Sequence, residues 1–323
     1  MESIKVFDRP APQAFYSVAG RLLFIESSSL ELRNLIVDLF GGWQLTPVSL
    51  PDRSPDIRIS FSCEALTQRI PRNLDSFEIA DGGKCYTDGA GLYLELGGPV
   101  VHLENGSTVS VNVSFTELPR LGDPLFGRAA SFAVCAALRR YGLFDLHSAG
   151  MIEPESGKAV LIIGPSGSGK STLALQLVQS GWSYLSDDEL LLNLRDGAVE
   201  ARGFRSFFAV SEAGAQLKRC FEPLGSHRVD QADAGVLLFI NLNGAPRSQL
   251  GKLTQAETMT RLITACPWAT YDRSVASANL ELLSVLARQA EGYHLLVGRD
   301  LLEPGFAASF FSAALCVSLR SLR

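Results

Sequence analysis

Eight consecutive residues, Gly164 to Ser171, have the composition and spacing of a phosphate-binding loop. They read Gly-Pro-Ser-Gly-Ser-Gly-Lys-Ser and fit the P-loop pattern G-x-x-x-x-G-K-[ST]. In such a loop the glycines let backbone N–H groups turn inward onto an anion, and the following helix adds the partial positive charge of its N-terminus. The pattern predicts binding of ATP together with Mg²⁺. The alternative is a glycine-rich turn without a ligand.

Two side chains of the loop have individual roles in this prediction. Lys170 is placed to reach the β- and γ-phosphates, and the hydroxyl of Ser171 is placed to ligate Mg²⁺. The predicted nucleotide-binding residues are Gly164, Pro165, Ser166, Gly167, Ser168, Gly169, Lys170, Ser171 and Thr172.

The sequence on either side of the loop predicts the elements that such a loop needs. Residues 158–163 form an apolar, β-branched run bounded by glycines, which is typical of a buried parallel strand. Beyond the loop, leucines lie within a helix-forming run that Gly181 can end. We therefore expect strand, loop and helix in this order.

A pair of carboxylates, Asp187 and Asp188, follows a short predicted strand at residues 182–186. Ligands of open parallel sheets bind at the carboxyl ends of the strands, so a strand adjacent to the loop strand would bring both carboxylates to the terminal phosphate. One of them would hold Mg²⁺ while the other accepts a proton from an attacking hydroxyl. The alternative for such a pair is a turn or a helix cap.

Two further side chains are candidates for the same site. If residues 154–157 form a tight hairpin turn, Glu153 pairs with Lys158, and the constant sum of paired residue numbers places His147 opposite Gly164. His147 would then lie at the mouth of the phosphate site; the alternative is a core or turn histidine. Arg205 could be brought toward the phosphates, with a solvated or salt-bridged arginine as the alternative.

The composition excludes several classes of protein. The chain has 323 residues, a net charge of -5 and a pI near 5.5, and its Lys and Arg residues form no block, which argues against a nucleic-acid partner. The first ten residues lack the pattern of a signal peptide, and the apolar segment at residues 306–319 is too short to cross a bilayer. We expect a cytoplasmic protein without a membrane partner. The six cysteines have no metal-ligand spacing and are interpreted as reduced core residues.

The length suggests two domains, and the proline- and glycine-containing stretch at residues 118–124 predicts the boundary between them. Residues 1–118 predict a smaller, hairpin-rich α/β accessory or substrate domain, and residues 125–323 an α/β domain that contains the loop. Strands are predicted at 21–26, 57–62, 76–80, 84–87, 92–96, 235–242 and 293–297, hairpins at 100–113 and 189–202, and helices at 28–41, 125–141, 254–266, 273–290 and from 304.

Several of these motifs together resemble the core of HPr kinase and its relatives, a P-loop family that is also similar to PEP carboxykinase. The resemblance covers residues 143–205 with specific motifs and the rest of the C-terminal half more loosely. It implies a P-loop core and a kinase that transfers the γ-phosphoryl group of a nucleotide to a serine hydroxyl. The residues that carry it are His147-Ser148-Ala149-Gly150, Ile162 to Thr172, Gly181-Trp182 and Asp187-Asp188.

The resemblance also implies roles for single residues. Asp187 would be the general base, Asp188 would support Mg²⁺ or the base, and His147 would lie beside the reacting groups. The chain differs from HPr kinase in carrying Thr172 where that enzyme has Glu, in lacking its downstream Arg-Gly-apolar-Gly signature, and in its amino-terminal third. It is more similar to HPr-kinase-related proteins, some of which phosphorylate precursor peptides, as in lasso peptide biosynthesis.

The implied partner is therefore a protein or peptide that bears a serine, and a homo-oligomer remains open. Three alternatives stand beside the kinase. One is a nucleotide-binding regulatory protein without transfer activity, and another is a P-loop ATPase, disfavoured because the predicted strand at 235–242 lacks a terminal Asp and no L-S-G-G-Q signature is present. A third is an activity like that of PEP carboxykinase.

Overall fold

The computed structural model describes residues 15–49, 51–63, 70, 74–79, 83–87, 91–211, 218–221, 227–303 and 305–311. The chain divides into two compact units, Met1–Arg140 and Tyr141–Arg323. Each unit is mixed α/β and contains a nine-stranded sheet.

The first unit is one mixed sheet with two helices. Its strands follow one another across the sheet in the order β3-β1-β2-β4-β9-β8-β7-β6-β5, with parallel pairs at β2–β4 and β4–β9 and antiparallel pairs elsewhere. The elements are β1 (Phe15–Val18), β2 (Arg21–Ser27), α1 (Leu30–Phe40), β3 (Thr46–Val48), β4 (Ile57–Ser62), β5 (Asp75–Ile79), β6 (Gly83–Thr87), β7 (Gly91–Glu95), β8 (Val100–Glu104), β9 (Val109–Ser114) and α2 (Pro124–Arg139).

Alternation of apolar and polar residues explains why the strands of this unit bury one face. In β4, Ile57, Ile59 and Phe61 are buried while the residues between them are exposed or half-buried. Phe40 of α1 packs against the Phe61 ring with centroids 6.5 Å apart. The strands β1 and β3 are not predicted from the sequence because they have only four and three residues, and β3 contains a proline.

The division between the units lies after α2, whereas the sequence predicts a boundary at residues 118–124, before this helix. The helix begins where it is expected, with Asp123 as N-cap and Pro124 in the first turn. It packs against β8 and β9, and Phe126 contacts Phe115 with ring centroids 5.6 Å apart. This packing explains why α2 is grouped with the first unit.

The second unit contains the loop and the acidic pair. Its elements are β10 (Phe144–Leu146), β11 (Ser148–Ile152), β12 (Ala159–Ile163), α3 (Lys170–Gln179), β13 (Ser183–Ser186), β14 (Leu190–Arg195), β15 (Ala198–Gly203), β16 (Phe208–Ser211), β17 (Lys218–Phe221), β18 (Gln231–Leu242), β19 (Gln249–Lys252), α4 (Gln255–Ala265), α5 (Trp268–Tyr271), α6 (Ala276–Gln289), β20 (Glu291–Val297), a 3₁₀ turn (Asp300–Leu302) and a helical segment at 306–311.

The main sheet of this unit has the order β10-β14-β15-β18-β12-β11-β13, and β20 pairs with β18 and β19. β12, β18 and β20 are parallel, and β11 is antiparallel to β12 and to β13. β13 therefore runs in the same direction as β12. As a result the carboxyl ends of β12, β13, β18 and β20 lie at one edge of the sheet, together with the amino end of β11.

Helices cover both faces of this sheet. Alternate residues of β12 and β18 pack with α3 on one face and with α4 and α6 on the other. The sequence predicted these helices correctly, including the capping box in which Thr254 and Glu257 exchange hydrogen bonds at the start of α4. The predicted hairpin at 189–202 is confirmed, with Asp196 and Gly197 both at positive φ in its turn. The predicted terminal helix is present at 306–311, and its remainder lies outside the described residues.

The cysteines for which the structure describes a side-chain state, Cys63, Cys85, Cys135 and Cys266, are free thiols. In the described part of the chain, no helix is both long and apolar enough to cross a membrane.

The loop that follows β18 is fastened to the chain that follows β20. The carboxylate of Asp300 accepts hydrogen bonds from the backbone N–H of Ser248 at 2.9 Å, the Ser248 hydroxyl at 2.6 Å and the Leu301 N–H at 2.9 Å. Desolvation raises the pKa of this carboxyl, but these hydrogen bonds outweigh it and hold the pKa below its usual value. The ionised form therefore stabilises the fold.

Replacing Asp300 by Asn should lower the free energy of unfolding by about 1 kcal/mol at neutral pH, because the hydrogen bonds lose their charged acceptor. Since the folded-state pKa is lowered, this contribution is present above the unfolded pKa of about 4 and is lost as pH falls through the folded value. Urea unfolding at several pH values should show the wild type and D300N converging in acid. D196N, in the exposed hairpin turn, is the control; a constant gap between wild type and D300N at all pH values would contradict the argument.

Candidate functional site

The loop from Gly164 to Ser171 joins β12 to α3, as the sequence predicts. Gly167 and Gly169 have φ values of 80° and 90°, a conformation that favours glycine. A Cβ on Gly167 would meet no atom within 4 Å, so the loop is open on this side. Gly169 caps α3 without a side-chain hydrogen bond, which leaves the first N–H groups of the helix unoccupied by a capping side chain.

The remaining residues of the loop differ in exposure. Pro165 and Ser166 are exposed, and Ser171 and Thr172 are half-buried in the first turn of α3. Ser168 is buried, and its hydroxyl has no hydrogen-bond partner among the described residues. Buried hydroxyls are normally hydrogen-bonded, so the Ser168 hydroxyl is available to hydrogen-bond a ligand of the loop.

Gly164 is required for a different reason, the close approach of the neighbouring strand. A Cβ on Gly164 would lie 2.7 Å from the carbonyl oxygen of Ile240 in β18. Because the obstructing atom belongs to the backbone, G164A should displace the loop or the strand and cost about 1–3 kcal/mol of unfolding free energy. Urea unfolding measures this cost. In G251A, where a Cβ would meet nothing within 4 Å, little change is expected; equal effects of the two substitutions would contradict the steric explanation.

Lys170, the first residue of α3, is buried and bends back over its own loop. Its ammonium group donates to the carbonyl oxygens of Gly164 at 2.8 Å and Pro165 at 3.1 Å. Its Nζ atom also lies 2.9 Å from Nε2 of His147. An ammonium group has three donors, so these contacts account for all of them.

His147 lies where the hairpin argument places it. Ser148 pairs with Ile163 and Ile152 with Ala159, and the Glu153 N–H donates to the Lys158 carbonyl oxygen, which is the predicted register. The other ring nitrogen, Nδ1, lies 3.3 Å from Oδ1 of Asp188. His147 therefore connects the lysine of the loop to the acidic pair through a single imidazole ring.

The protonation of His147 is consistent with both contacts. Desolvation by the surrounding protein lowers its pKa, the Asp188 carboxylate raises it, the Lys170 ammonium lowers it, and the net shift is downward. The ring is therefore neutral near pH 7, with one donor and one acceptor. A proton on Nδ1 lets it donate to Asp188 while Nε2 accepts from Lys170, and this tautomer is assigned from the two contacts.

The acidic pair reaches the site by a different route from the one predicted. The strand that carries it, β13, is not adjacent to β12, because β11 lies between them. Since β11 is antiparallel to both, β13 still ends at the same edge as β12. The Ser148 N–H donates to the Asp188 carbonyl oxygen at 3.2 Å and fixes the pair against the start of β11.

The two carboxylates have different environments. Asp187 is 1% exposed, whereas the side chain of Asp188 is 46% exposed. Asp188 has a φ of 77°, the left-handed conformation that Asp and Asn tolerate better than other side chains. Asp188 is therefore the member of the pair that solvent reaches, and Asp187 is buried.

Arg205 is held by a carboxylate. Its guanidinium group donates to Oε2 of Glu189 at 2.8 Å and 3.1 Å, and the two side chains are largely buried. Its backbone N–H donates to the hydroxyl of Ser186 at 2.8 Å. This is the salt-bridged alternative for Arg205. Sequence reasoning missed Glu189 and Ser186, although both directly flank the acidic pair.

Taken together, the glycine-rich loop, the Lys170 ammonium and the Asp187–Asp188 segment lie at one edge of the sheet. The loop offers N–H groups and the Lys170 charge, which suit an oxyanion. Ser171 and Asp188 offer the oxygen ligands that Mg²⁺ prefers, while Asp187 and His147 offer proton acceptors.

Comparisons with known proteins give no match in sequence and a distant match in structure. No protein-family model matches it, and no curated protein matches its sequence. Among solved structures it is similar to the structure of the Hpr(Ser) kinase/phosphatase from Coxiella burnetii, with 12% sequence identity and a TM-score of 0.33. The match covers 55% of this chain and 99% of the other. The similarity is distant and concerns the fold alone.

Proposed function

We propose that this protein is a P-loop kinase that transfers the γ-phosphoryl group of ATP to a serine hydroxyl of a protein or peptide. The observation that carries the proposal is the continuous set of contacts from the loop carbonyls through Lys170 and His147 to Asp188. A phosphate-binding loop alone indicates only nucleotide binding. A carboxylate, that of Asp188, joined to the loop lysine by one imidazole ring, with a second carboxylate next to it in sequence, supports transfer to an acceptor.

The residues present fit a nucleotide and its cation. The open side of Gly167, the uncapped start of α3 and the spare hydroxyl of Ser168 suit phosphate oxygens. Ser171 and Asp188 are the proposed ligands of Mg²⁺. When bound, Mg²⁺ supplies positive charge that offsets the charge of the phosphates.

Lys170 and His147 have linked roles in this proposal. The three donors of the Lys170 ammonium already have acceptors, so a phosphate oxygen must replace at least one of them. If the phosphate oxygen takes the place of His147 as an acceptor, the ammonium keeps its hydrogen bonds to the loop carbonyls. Nε2 of the imidazole then loses the Lys170 donor and is free to accept another proton. Lys170 then stabilises the charge on the transferring group, which is the main requirement of phosphoryl transfer.

Asp187 is the proposed general base. It accepts the proton of the incoming serine hydroxyl as the serine oxygen bonds to the γ-phosphorus and the bond to the ADP oxygen breaks. Asp188 orients His147 through the contact to Nδ1, and Glu189 fixes Arg205 beside the pair. The acceptor hydroxyl must reach a shielded carboxylate, which favours a serine on an extended, mobile segment.

The proposal is tested by following the label of γ-labelled ATP. The purified protein is incubated with candidate serine-containing peptides, with HPr and with free serine, each in the presence of Mg²⁺. A kinase of peptides should label a serine-containing peptide and leave free serine unlabelled. ATP binding without labelling of any acceptor would instead support a regulatory nucleotide-binding protein, and release of labelled phosphate alone would support an ATPase.

A further inference from the structure

A large apolar side chain lies beside the loop, on the side away from the acidic pair. Leu242 is the last residue of β18 and is 55% exposed. A Cβ on Gly169 would lie 3.7 Å from its Cδ2 atom, so the leucine borders the residue that caps α3. Single exposed leucines are common on protein surfaces, so the informative feature is its position rather than its exposure.

The backbone around Leu242 is fixed. The Asn243 N–H donates to the Val297 carbonyl oxygen at 3.3 Å, and the Asn243 side chain accepts from the Ala245 N–H at 2.9 Å. Gly298 approaches Arg247 so closely that a Cβ on the glycine would lie 2.4 Å from the Arg247 carbonyl carbon. Together with the Asp300 hydrogen bonds, these contacts hold the backbone on the C-terminal side of Leu242 in place beside the loop.

The sheet order gives the direction in which a nucleotide would extend. His147 and Asp188 approach the loop from the side of β11 and β13, whereas β18 lies on the other side of β12. If the terminal phosphate of a nucleotide lies at the acidic pair, a phosphate chain that crosses the loop away from this pair leads toward the end of β18. Side chains alternate along a strand, so Leu242 lies on the same face as Leu238 and Ile240, which is the face that packs with α3.

We propose that Leu242 contacts the base of the donor nucleotide and contributes to nucleotide affinity, an inference that rests on the proposed function. A leucine side chain presents apolar surface to the flat face of a base and offers no hydrogen bond. The contact therefore strengthens binding of the nucleoside part and leaves binding of the phosphates unaffected.

Calorimetric titration of the full-length chain with ATP and with inorganic tripolyphosphate, each with Mg²⁺, separates the two contributions. Covering about half of a leucine side chain corresponds to a change of about three- to tenfold in affinity. L242A and L242Q should therefore bind ATP about three- to tenfold more weakly than the wild type and bind tripolyphosphate equally well. The glutamine variant keeps the length of the side chain and removes its apolar end.

L194A is the matched control, because Leu194 is also an exposed leucine on a strand of this unit but lies on β14. It should bind both ligands as the wild type does. Unchanged ATP affinity in the Leu242 variants would overturn the inference and leave the kinase proposal standing. If the KM for the acceptor were raised in these variants instead, the surface around Leu242 would be assigned to the acceptor. Equal loss for both ligands would also overturn it, because it indicates distortion of the loop. A wild type that binds neither ligand would overturn the inference and the proposed function together.

Discussion

K170A should abolish phosphoryl transfer and most of the binding of ATP. The Lys170 ammonium donates hydrogen bonds to the carbonyl oxygens of Gly164 and Pro165. Its removal therefore takes the positive charge out of the loop. Loss of one donor to transition-state charge costs on the order of 10²- to 10³-fold in rate, and loss of a full charge should cost at least that much. Labelling of an acceptor measures transfer, and calorimetry measures ATP binding.

Two further variants make this result interpretable. K170M keeps most of the buried volume and should behave like K170A, which separates loss of charge from loss of packing. K252M, on β19, removes a surface lysine that pairs with Glu291 and should leave transfer and ATP binding unchanged. Substantial transfer by K170M in a folded protein would remove the basis for placing the phosphates in this loop.

D187N should also abolish transfer, but with ATP binding retained. The substitution conserves the shape of a side chain that is 1% exposed and removes its ability to accept a proton. General-base catalysis typically contributes 10²- to 10⁴-fold, and a loss on that order is expected in single-turnover labelling. Retention of binding separates this variant from K170A, in which both are lost.

D188N tests the division of labour within the acidic pair. The substitution should weaken Mg²⁺ binding and remove the carboxylate that contacts Nδ1 of His147. Part of the lost transfer rate should therefore be recovered at high Mg²⁺ concentration, whereas that of D187N should not. D196N is the control for a neutralised aspartate, because Asp196 lies in the exposed hairpin turn and also has a positive φ of 51°. If D187N transfers at the rate of the wild type and D188N does not, the roles of base and metal ligand are reversed.

Local sequence determined most of the fold of the second unit and the centre of the candidate site. The hairpin turn after Glu153 is short, and the apolar run of β12 leaves little choice of register, so the position of His147 opposite Gly164 could be derived by counting. The order of strand, loop and helix is also determined locally, by the apolar run of β12, the glycines of the loop and the helix-forming run that follows.

The remaining features depend on contacts between segments that are distant in sequence. The insertion of β11 between β12 and β13 is a choice of strand pairing, which residue patterns alone do not specify. The pairing of Arg205 with Glu189 requires β14 and β15 to place residues 16 positions apart next to each other. The grouping of α2 with the first unit likewise depends on the strands against which it packs.

The left-handed backbone of Asp188 restricts how this site can change during evolution. A positive φ at a residue with a side chain is tolerated best by Asn and Asp, after glycine. An ancestral aspartate at this position could therefore become asparagine and lose its charge while the turn keeps its shape. Asparagine at this position would therefore change the charge beside His147 while the fold of the turn is kept.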